Sequence, residues 1–356
     1  MQHQGKVAIA SPTNLLNGDL GIPSKATPIE IAGTTVAPGA KRQFEIPIAR
    51  LPTQTVLSLP VTVANGAQAG PRLWLSAAIH GDELNGVEII RRVLTQIDPR
   101  QLCGAIVAVP IVNVFGFIEQ SRYLPDRRDL NRSFPGSARG SLASRLAYLF
   151  MNEIVSQCTH GIDLHTASHH RTNLPQIRAN LRDPETYRCA KAFGTSLIVH
   201  AAVRDGSLRQ AAAQQGIPIL LYEGGEALRF DAHAIQTGVD GILRVMTALE
   251  MYAFDSVPKA EPSLEIETTK WIRASRSGIL RMAVQIGDSV TRKQVLGTIS
   301  DAFGDKGVYI RSPHDGILIG CNQNPLVNQG DGLFHIALVE PPDLPPQEAE
   351  NASSGS

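Results

Sequence analysis

The chain predicts an α/β fold built on an open, largely buried sheet, with a second, smaller all-β unit towards the C-terminus. Three observations carry this reading. Short apolar runs such as Leu73–Ile79 and Ile106–Val109 read as interior strands. The first of them is followed by apolar residues at helical spacing, Leu84, Val87, Ile90 and Leu94, the alternation expected of an α/β sheet. Beyond Pro258 the pattern changes to brief β-rich runs broken by Gly-Asp and Pro-containing turns.

Composition narrows the function classes. A length of 356 residues with 43% apolar content suits two folded domains. Lys plus Arg and Asp plus Glu balance at 33 each, so no global basic field draws the chain to nucleic acid or an anionic membrane. Cys103, Cys158, Cys189 and Cys321 show no CxxC spacing, and reduced packing thiols in a cytoplasmic protein are expected. The opening MQHQGKVAIASP has an apolar run of four residues, far short of a signal-peptide core. The longest apolar candidate for a membrane span, Gly104 to Ile118, has 15 residues and is interrupted by Pro110 and Asn113.

In chain order, residues 1–28 are polar and turn-rich and read as an N-terminal arm. Runs at Gln43–Ile48 and Val56–Val63 are strands leading into the sheet, separated by Pro38-Gly39 and Leu51-Pro52 turns. The strand over Leu73–Ile79 ends at His80, and a helix over Glu83–Leu94 follows, so Gly81 would turn the chain and bring Glu83, on the first helical turn, beside the imidazole. An imidazole nitrogen and a carboxylate at the carboxyl edge of such a sheet are two of the three protein ligands that a catalytic zinc site needs. Alone, the pair reads more readily as a surface His and a helix-start Glu, because an isolated HxxE is common.

Gln120 to Gly136 has no helical or strand period and holds Arg122, Arg127, Arg128 and Arg132. Such a loop is either a solvated basic surface or a set of guanidinium forks for a carboxylate or an oxyanion. A helix over Leu142–Val155 follows, capped by Ser141. Gly161–Leu164 is then a short strand ending in His165, a third ligand in the same setting as the first. Asp163, two residues earlier, points to the same face and can orient a ligand. His169 and His170 fall in a polar loop and read as solvent- or substrate-lining. Ile217–Tyr222 delivers Glu223 into Gly224-Gly225-Glu226, where its carboxylate could exchange a proton with water, or simply cap the next turn. A helix over Asp231–Tyr252 closes a catalytic domain spanning 29–256. Residues 257–340 form the all-β unit, and the Pro- and Ser-rich 341–356 reads as a disordered tail.

Taken together, HGDE at 80–83, RY at 122–123 with DLNR at 129–132, DLH at 163–165 and YEGGE at 222–226 resemble the succinylglutamate desuccinylase and aspartoacylase family. The resemblance spans about residues 30–340. It implies a three-layer α/β/α domain of the zinc carboxypeptidase type with a mixed central sheet, and one Zn2+ per chain. The family's metal ligands fall on His80, Glu83 and His165, its general base on Glu223, and its carbonyl-polarising arginine on Arg122. Asn131 and Arg132 take the positions that grip a substrate carboxylate. Leu124 to Arg128 stretch the family's spacing, so Arg127 or Arg128 competes with Arg122, and Arg128 joins the substrate-binding set. The implied activity is hydrolysis of the amide of a small N-acyl amino acid bearing a carboxylate. A zinc carboxypeptidase would use the same residues. The all-β unit is also similar to lipoyl and biotinyl carrier barrels, which raises a non-catalytic carrier bearing its group on Lys306, but Lys306 lies in a loose Gly-flanked loop. A lid or homo-oligomer contact is the role expected of this unit.

Overall fold

A computed structural model describes residues 25–168, 170–201, 204–260, 262–304 and 307–339. The expected arm over 1–24, the tail over 341–356, His169 and Lys306 lie outside these residues. The chain opens with the hairpin β1 (Ile29–Ile31) and β2 (Thr34–Val36), then β3 (Ala40–Arg50), β4 (Val56–Asn65) and β5 (Gln68–Ala77). Next come α1 (Asn85–Thr95), β6 (Cys103–Val109), α2 (Val114–Ile118), α3 (Leu142–Glu153), β7 (His160–Ala167) and β8 (Arg171–Ala179). They are followed by α4 (Pro184–Phe193), β9 (Leu197–His200), α5 (Leu208–Gln214), β10 (Ile219–Glu226) and α6 (Ala232–Ala248). The remainder is β: β11 (Leu264–Ile266), β12 (Thr269–Arg273), β13 (Gly278–Met282), β14 (Ser289–Val290), β15 (Val295–Ser300), β16 (Val308–Arg311), β17 (Gly316–Asn322), β18 (Leu326–Val327) and β19 (Gly332–Leu338).

The central sheet runs in the order β12-β19-β17-β8-β10-β7-β5-β6-β4-β3. Its middle is parallel, β6, β5, β7 and β10 all pointing one way, and antiparallel strands flank it on both sides. The sheet is therefore mixed, and the parallel strands bring their carboxyl ends to one edge. Alternation along β5 builds the layers: Leu73, Leu75 and Ala77 pack with Ile89 of α1, Phe193 of α4 and Ile242 of α6. Trp74 faces the other way, into a core with Leu146 and Phe150 of α3. Full burial of each of these large side chains contributes on the order of 1.5–3 kcal/mol.

Capping fixes where the helices start. Ser141 Oγ accepts from Ser144 N, and Asp231 Oδ1 accepts from Ala234 N. Asp183 does the same for Thr186 N ahead of Pro184, which has no N–H to satisfy there. Helix α1 begins later than its apolar period predicts. Glu83 N–H bonds His80 O and closes a turn, so Glu83 precedes the helix rather than lying on its first turn. Asn85 then anchors the helix start, its amide donating to Gly224 O and its carbonyl accepting from Asp231 N. Strand β7 also runs past His165 to Ala167, so His165 sits within the strand and not at its end.

The C-terminal strands divide. β16, β15, β13 and β18 form a separate antiparallel sheet, packed through Leu280, Leu296 and Ile299 against Leu318 and Phe334. β17, β19 and β12 instead continue the central sheet, because β17 pairs with the first residues of β8. The later residues of β8 pair with β9, which also carries β11. This places Trp271 of β12 in the wall of the cavity described below. No helix among the described residues is long and apolar enough to cross a membrane.

Candidate active site

The apolar alternation breaks at the carboxyl edge of the parallel strands. On the face that holds Trp74 further back, the residues nearest that edge are Ser76 of β5, Asp163 and His165 of β7, and Glu223 of β10. Glu223 is the register partner of His165 on the neighbouring parallel strand, so the two side chains share a face. His80 arrives from the turn after β5. In that turn the backbones approach so closely that a Cβ on Gly81 would lie 1.9 Å from Gly116 C. Glycine is needed at 81 for this contact with the segment ahead of Arg122, not for a left-handed turn.

Glu83 lies between two imidazoles. Its Oε1 is 2.7 Å from His80 Nδ1 and its Oε2 is 2.7 Å from His165 Nδ1. Each histidine rests its other nitrogen on an aspartate: His80 Nε2 is 3.2 Å from Asp129 Oδ1 and His165 Nε2 is 2.7 Å from Asp163 Oδ2. Ser76 Oγ donates to the second oxygen of Asp163 at 2.7 Å, and Trp74 Nε1 donates to Ser76 Oγ. Burial opposes charge on all three central groups, but the pairings win. Glu83 is held well below the usual carboxylate range by the two histidines, while Glu83 with Asp129 raises His80, and Asp163 with Glu83 raises His165 more strongly, above the ordinary imidazole value.

These three side chains fit a metal ion. Their ligand atoms lie within 4.8 Å of one another and all three residues are buried. Two imidazoles backed by carboxylates and facing a third carboxylate are donor types and supporting hydrogen bonds that suit a borderline-soft divalent ion.

They open on a cavity of about 230 Å³, also lined by Glu223, Arg122, Asn131 and Arg132. Asn173 Nδ2 donates to Glu223 Oε2 at 2.8 Å. Arg122 is held by Asp129 Oδ2 at 2.9 Å and reaches Glu83 Oε1 at 3.5 Å. Asn131 is buried and its Oδ1 accepts from Leu208 N, docking the loop on the start of α5. Arg127 and Arg128 do not line the cavity; the Arg128 side chain is 63% exposed and its nearest acid is Asp126 at 3.9 Å. His170 lies on the surface loop after β7, with φ of 61°, and is not in the lining either.

Several lining residues have no counterpart in the motif reading: Asn173, Arg178, Arg204, Arg209 and Trp271. Among the described residues, six arginines line the cavity against two carboxylates, Glu83 and Glu223. Burial first, then the neighbouring Arg178, pulls the Arg209 guanidinium down to about 10. Arg178 Nε is buried with no hydrogen-bond partner among the described residues. On the opposite wall Arg171 stacks over Trp271, whose ring lies flat on His335 with centroids 4.5 Å apart.

The succinylglutamate desuccinylase/aspartoacylase catalytic domain, as a family model, matches residues 69–249. The chain is 27% identical over 297 residues to the N-alpha-acetyl-L-2,4-diaminobutyric acid deacetylase of Halomonas elongata, covering 79% of this chain and 86% of the relative. Among solved structures, a succinylglutamate desuccinylase/aspartoacylase from Rhodobacter sphaeroides superposes with a TM-score of 0.75 at 24% identity, over 84% of this chain and 95% of that one. The product-bound ectoine utilization protein EutE (DoeB) from Ruegeria pomeroyi gives 0.77 at 20% identity, over 89% and 99%. At these identities the structures share the fold.

Proposed function

The chain belongs to the succinylglutamate desuccinylase/aspartoacylase family, and from that membership we propose that it is a zinc-dependent deacylase of small, anionic N-acyl amino acids. The observation that carries this reading is the buried Glu83, set between His80 and His165 at the same cavity as Glu223. His80, Glu83 and His165 would hold one Zn2+. The ion's chemistry there is Lewis acidity, which lowers the pKa of water and polarises a carbonyl.

The chain's own residues do the rest. Glu223 takes a proton from the attacking water and delivers it to the amine nitrogen as the C–N bond breaks. With Oε2 occupied by Asn173, Oε1 is the oxygen that exchanges this proton. Arg122, locked by Asp129, places a fixed positive charge where the carbonyl oxygen becomes anionic. Asn131 and Arg132 orient a substrate carboxylate. A cavity of about 230 Å³ walled by Trp271 and Arg171 favours a small amide over a peptide chain.

The lining also bears on the amine. Arg178, Arg204 and Arg209 form a second cationic group, in which the buried Arg209 and half-buried Arg178, beside the exposed Arg204, favour a further anion. Among the described residues, no lining acid other than Glu83 and Glu223 is present to receive an ammonium. This supports an N-acyl dicarboxylic amino acid as substrate, in contrast to the diamino acid in the Halomonas relative's name. The test is a turnover comparison of zinc-loaded protein on N-acyl aspartate and glutamate, N-acetyl diaminobutyrate and a peptide library. The dicarboxylic compounds should be cleaved fastest; faster turnover of peptides would make the protein a carboxypeptidase, and faster turnover of the diamino acid would reassign the arginines.

A further inference from the structure

At the far end of β7 from His165, the first residue of the strand, His160, meets Glu185 and Cys189, which lie one turn apart on α4. Their ligand atoms all fall within 4.8 Å of one another. His165 lies five positions further along the strand, roughly 16 Å away, so this cluster is distinct from the candidate active site.

Hydrogen bonding holds the His160 ring at both nitrogens. Thr159 Oγ1 accepts from Arg72 N at 2.9 Å and donates its own proton to Arg72 O at 3.1 Å. The same hydroxyl lies 2.8 Å from His160 Nδ1. The other nitrogen, Nε2, sits 2.9 Å from Glu185 Oε1. Cys189 Sγ is 4.0 Å from the same oxygen, and a void of about 10 Å³, the size of one small atom, is lined by both His160 and Cys189. Arg188 holds Glu185 from the other side through both carboxylate oxygens, fixing its orientation.

We propose that His160, Glu185 and Cys189 form a second metal site, for a thiophilic divalent ion such as Zn2+ or Cd2+, that pins α4 to the start of the strand carrying His165. Imidazole, thiolate and carboxylate are the donors that borderline-soft ions take, and the half-exposed Glu185 leaves a coordination position open to solvent. On binding, the Cys189 thiol gives up its proton and bonds to the ion, beside a lone pair of the neutral His160 ring. Burial, then Glu185, push the thiol up to about 12, with Arg188 opposing and Asp183 adding a little. Affinity should therefore rise about tenfold per pH unit from the thiol proton alone.

Cadmium reports this site without activity, because a thiolate–Cd2+ bond absorbs in the ultraviolet and the active-site set of His80, Glu83 and His165 has no sulfur. Full-length protein titrated with Cd2+ should develop the charge-transfer band with one equivalent, also in His165→Ala. The band should vanish in Cys189→Ser and fall at least tenfold in affinity in His160→Gln. Zn2+ added beyond one equivalent should also raise the thermal midpoint of wild type but not of His160→Gln. No band, or one that survives Cys189→Ser, overturns the proposal. A band lost with Cys189 but indifferent to His160 also overturns it, reducing the cluster to a thiol beside a proton-bridged His160–Glu185 pair.

Discussion

Asn173 and Glu223 face each other across β8 and β10, joined by a 2.8 Å hydrogen bond from the amide to Oε2. The contact depends on a third strand: a Cβ at Gly320 of β17 would lie 2.8 Å from Asn173 Oδ1. The amide thus fixes one carboxylate oxygen and leaves the other to the cavity. Losing a hydrogen bond to a charged group is worth roughly 1.5–3 kcal/mol, so Asn173→Ala should lower kcat by about tenfold or more, with KM and metal content little changed. Glu223→Gln, nearly isosteric but unable to accept the proton, should lower turnover at least about a hundredfold while still binding substrate. Steady-state kinetics on metal-quantified protein check both. If Asn173→Ala raises KM and spares kcat, the amide contacts substrate instead of positioning the base.

The metal reading predicts one tightly held Zn2+ per chain beyond any weaker ion. Replacing His80, Glu83 or His165 by Ala should remove it, since each leaves only two protein ligands. The pairings with Asp129 and Asp163 predict a milder effect: Asp163→Ala should weaken metal binding about 10–100-fold without abolishing it. Elemental analysis and chelator competition give the answer. Retention of full zinc in His165→Ala would move the third ligand elsewhere.

Motif spacing located the residues at the sheet edge because their elements obey local rules: apolar strands, capped helices, and turns where they are needed. Helix α3 starts after Ser141 and β5 stops short of His80, as pattern and cap together require. Less legible was β8, whose Pro175 argues against an interior strand. In the fold, Pro175 lies where the β8–β10 register shifts between Glu223 and Gly225, so no ladder hydrogen bond needs its missing N–H. With β8 unread, Asn173 and Arg178 had no face to occupy. Trp271 was hidden for a different reason: its place in the wall depends on the pairing of β17 with β8, a contact between residues about 150 apart.

His335 makes the attachment of the C-terminal strands sensitive to acid. It is buried against Trp271, its Nδ1 has no hydrogen-bond partner among the described residues, and burial, with Arg178 and Arg171 nearby, lowers its pKa to about 3. A depressed folded-state pKa means that the unfolded chain binds the proton first. Stability is therefore complete above the unfolded value near 6.5 and declines as pH falls from there towards 3. Between pH 7 and 5 this one group accounts for about 2 kcal/mol. His335→Phe keeps a ring against Trp271 and should lose that much less stability over the interval in denaturant titrations. Identical acid losses in both proteins would mean that the site takes up a proton after all.

The basic loop makes the sharpest comparison, because it holds one arginine inside the cavity and one outside. Arg132 lines the cavity beside the buried Asn131, whereas the Arg128 side chain is 63% exposed near Asp126. A guanidinium that pairs with a substrate carboxylate in a partly desolvated site loses roughly 2–5 kcal/mol of interaction when removed, and a solvated one loses little. Arg132→Ala should therefore cut kcat/KM by a factor of about thirty or more on carboxylate-bearing substrates, and Arg128→Ala by less than about threefold. An analogue with that carboxylate amidated separates contact from damage. Wild type should process it poorly, and Arg132→Ala should lose little further. Equal losses on both substrates would make Arg132 a loop anchor, acting through its neighbour Asn131, whose side chain already docks the loop on Leu208 of α5. A loss in Arg128→Ala matching that in Arg132→Ala would show that the loop closes over the substrate and brings Arg128 inward.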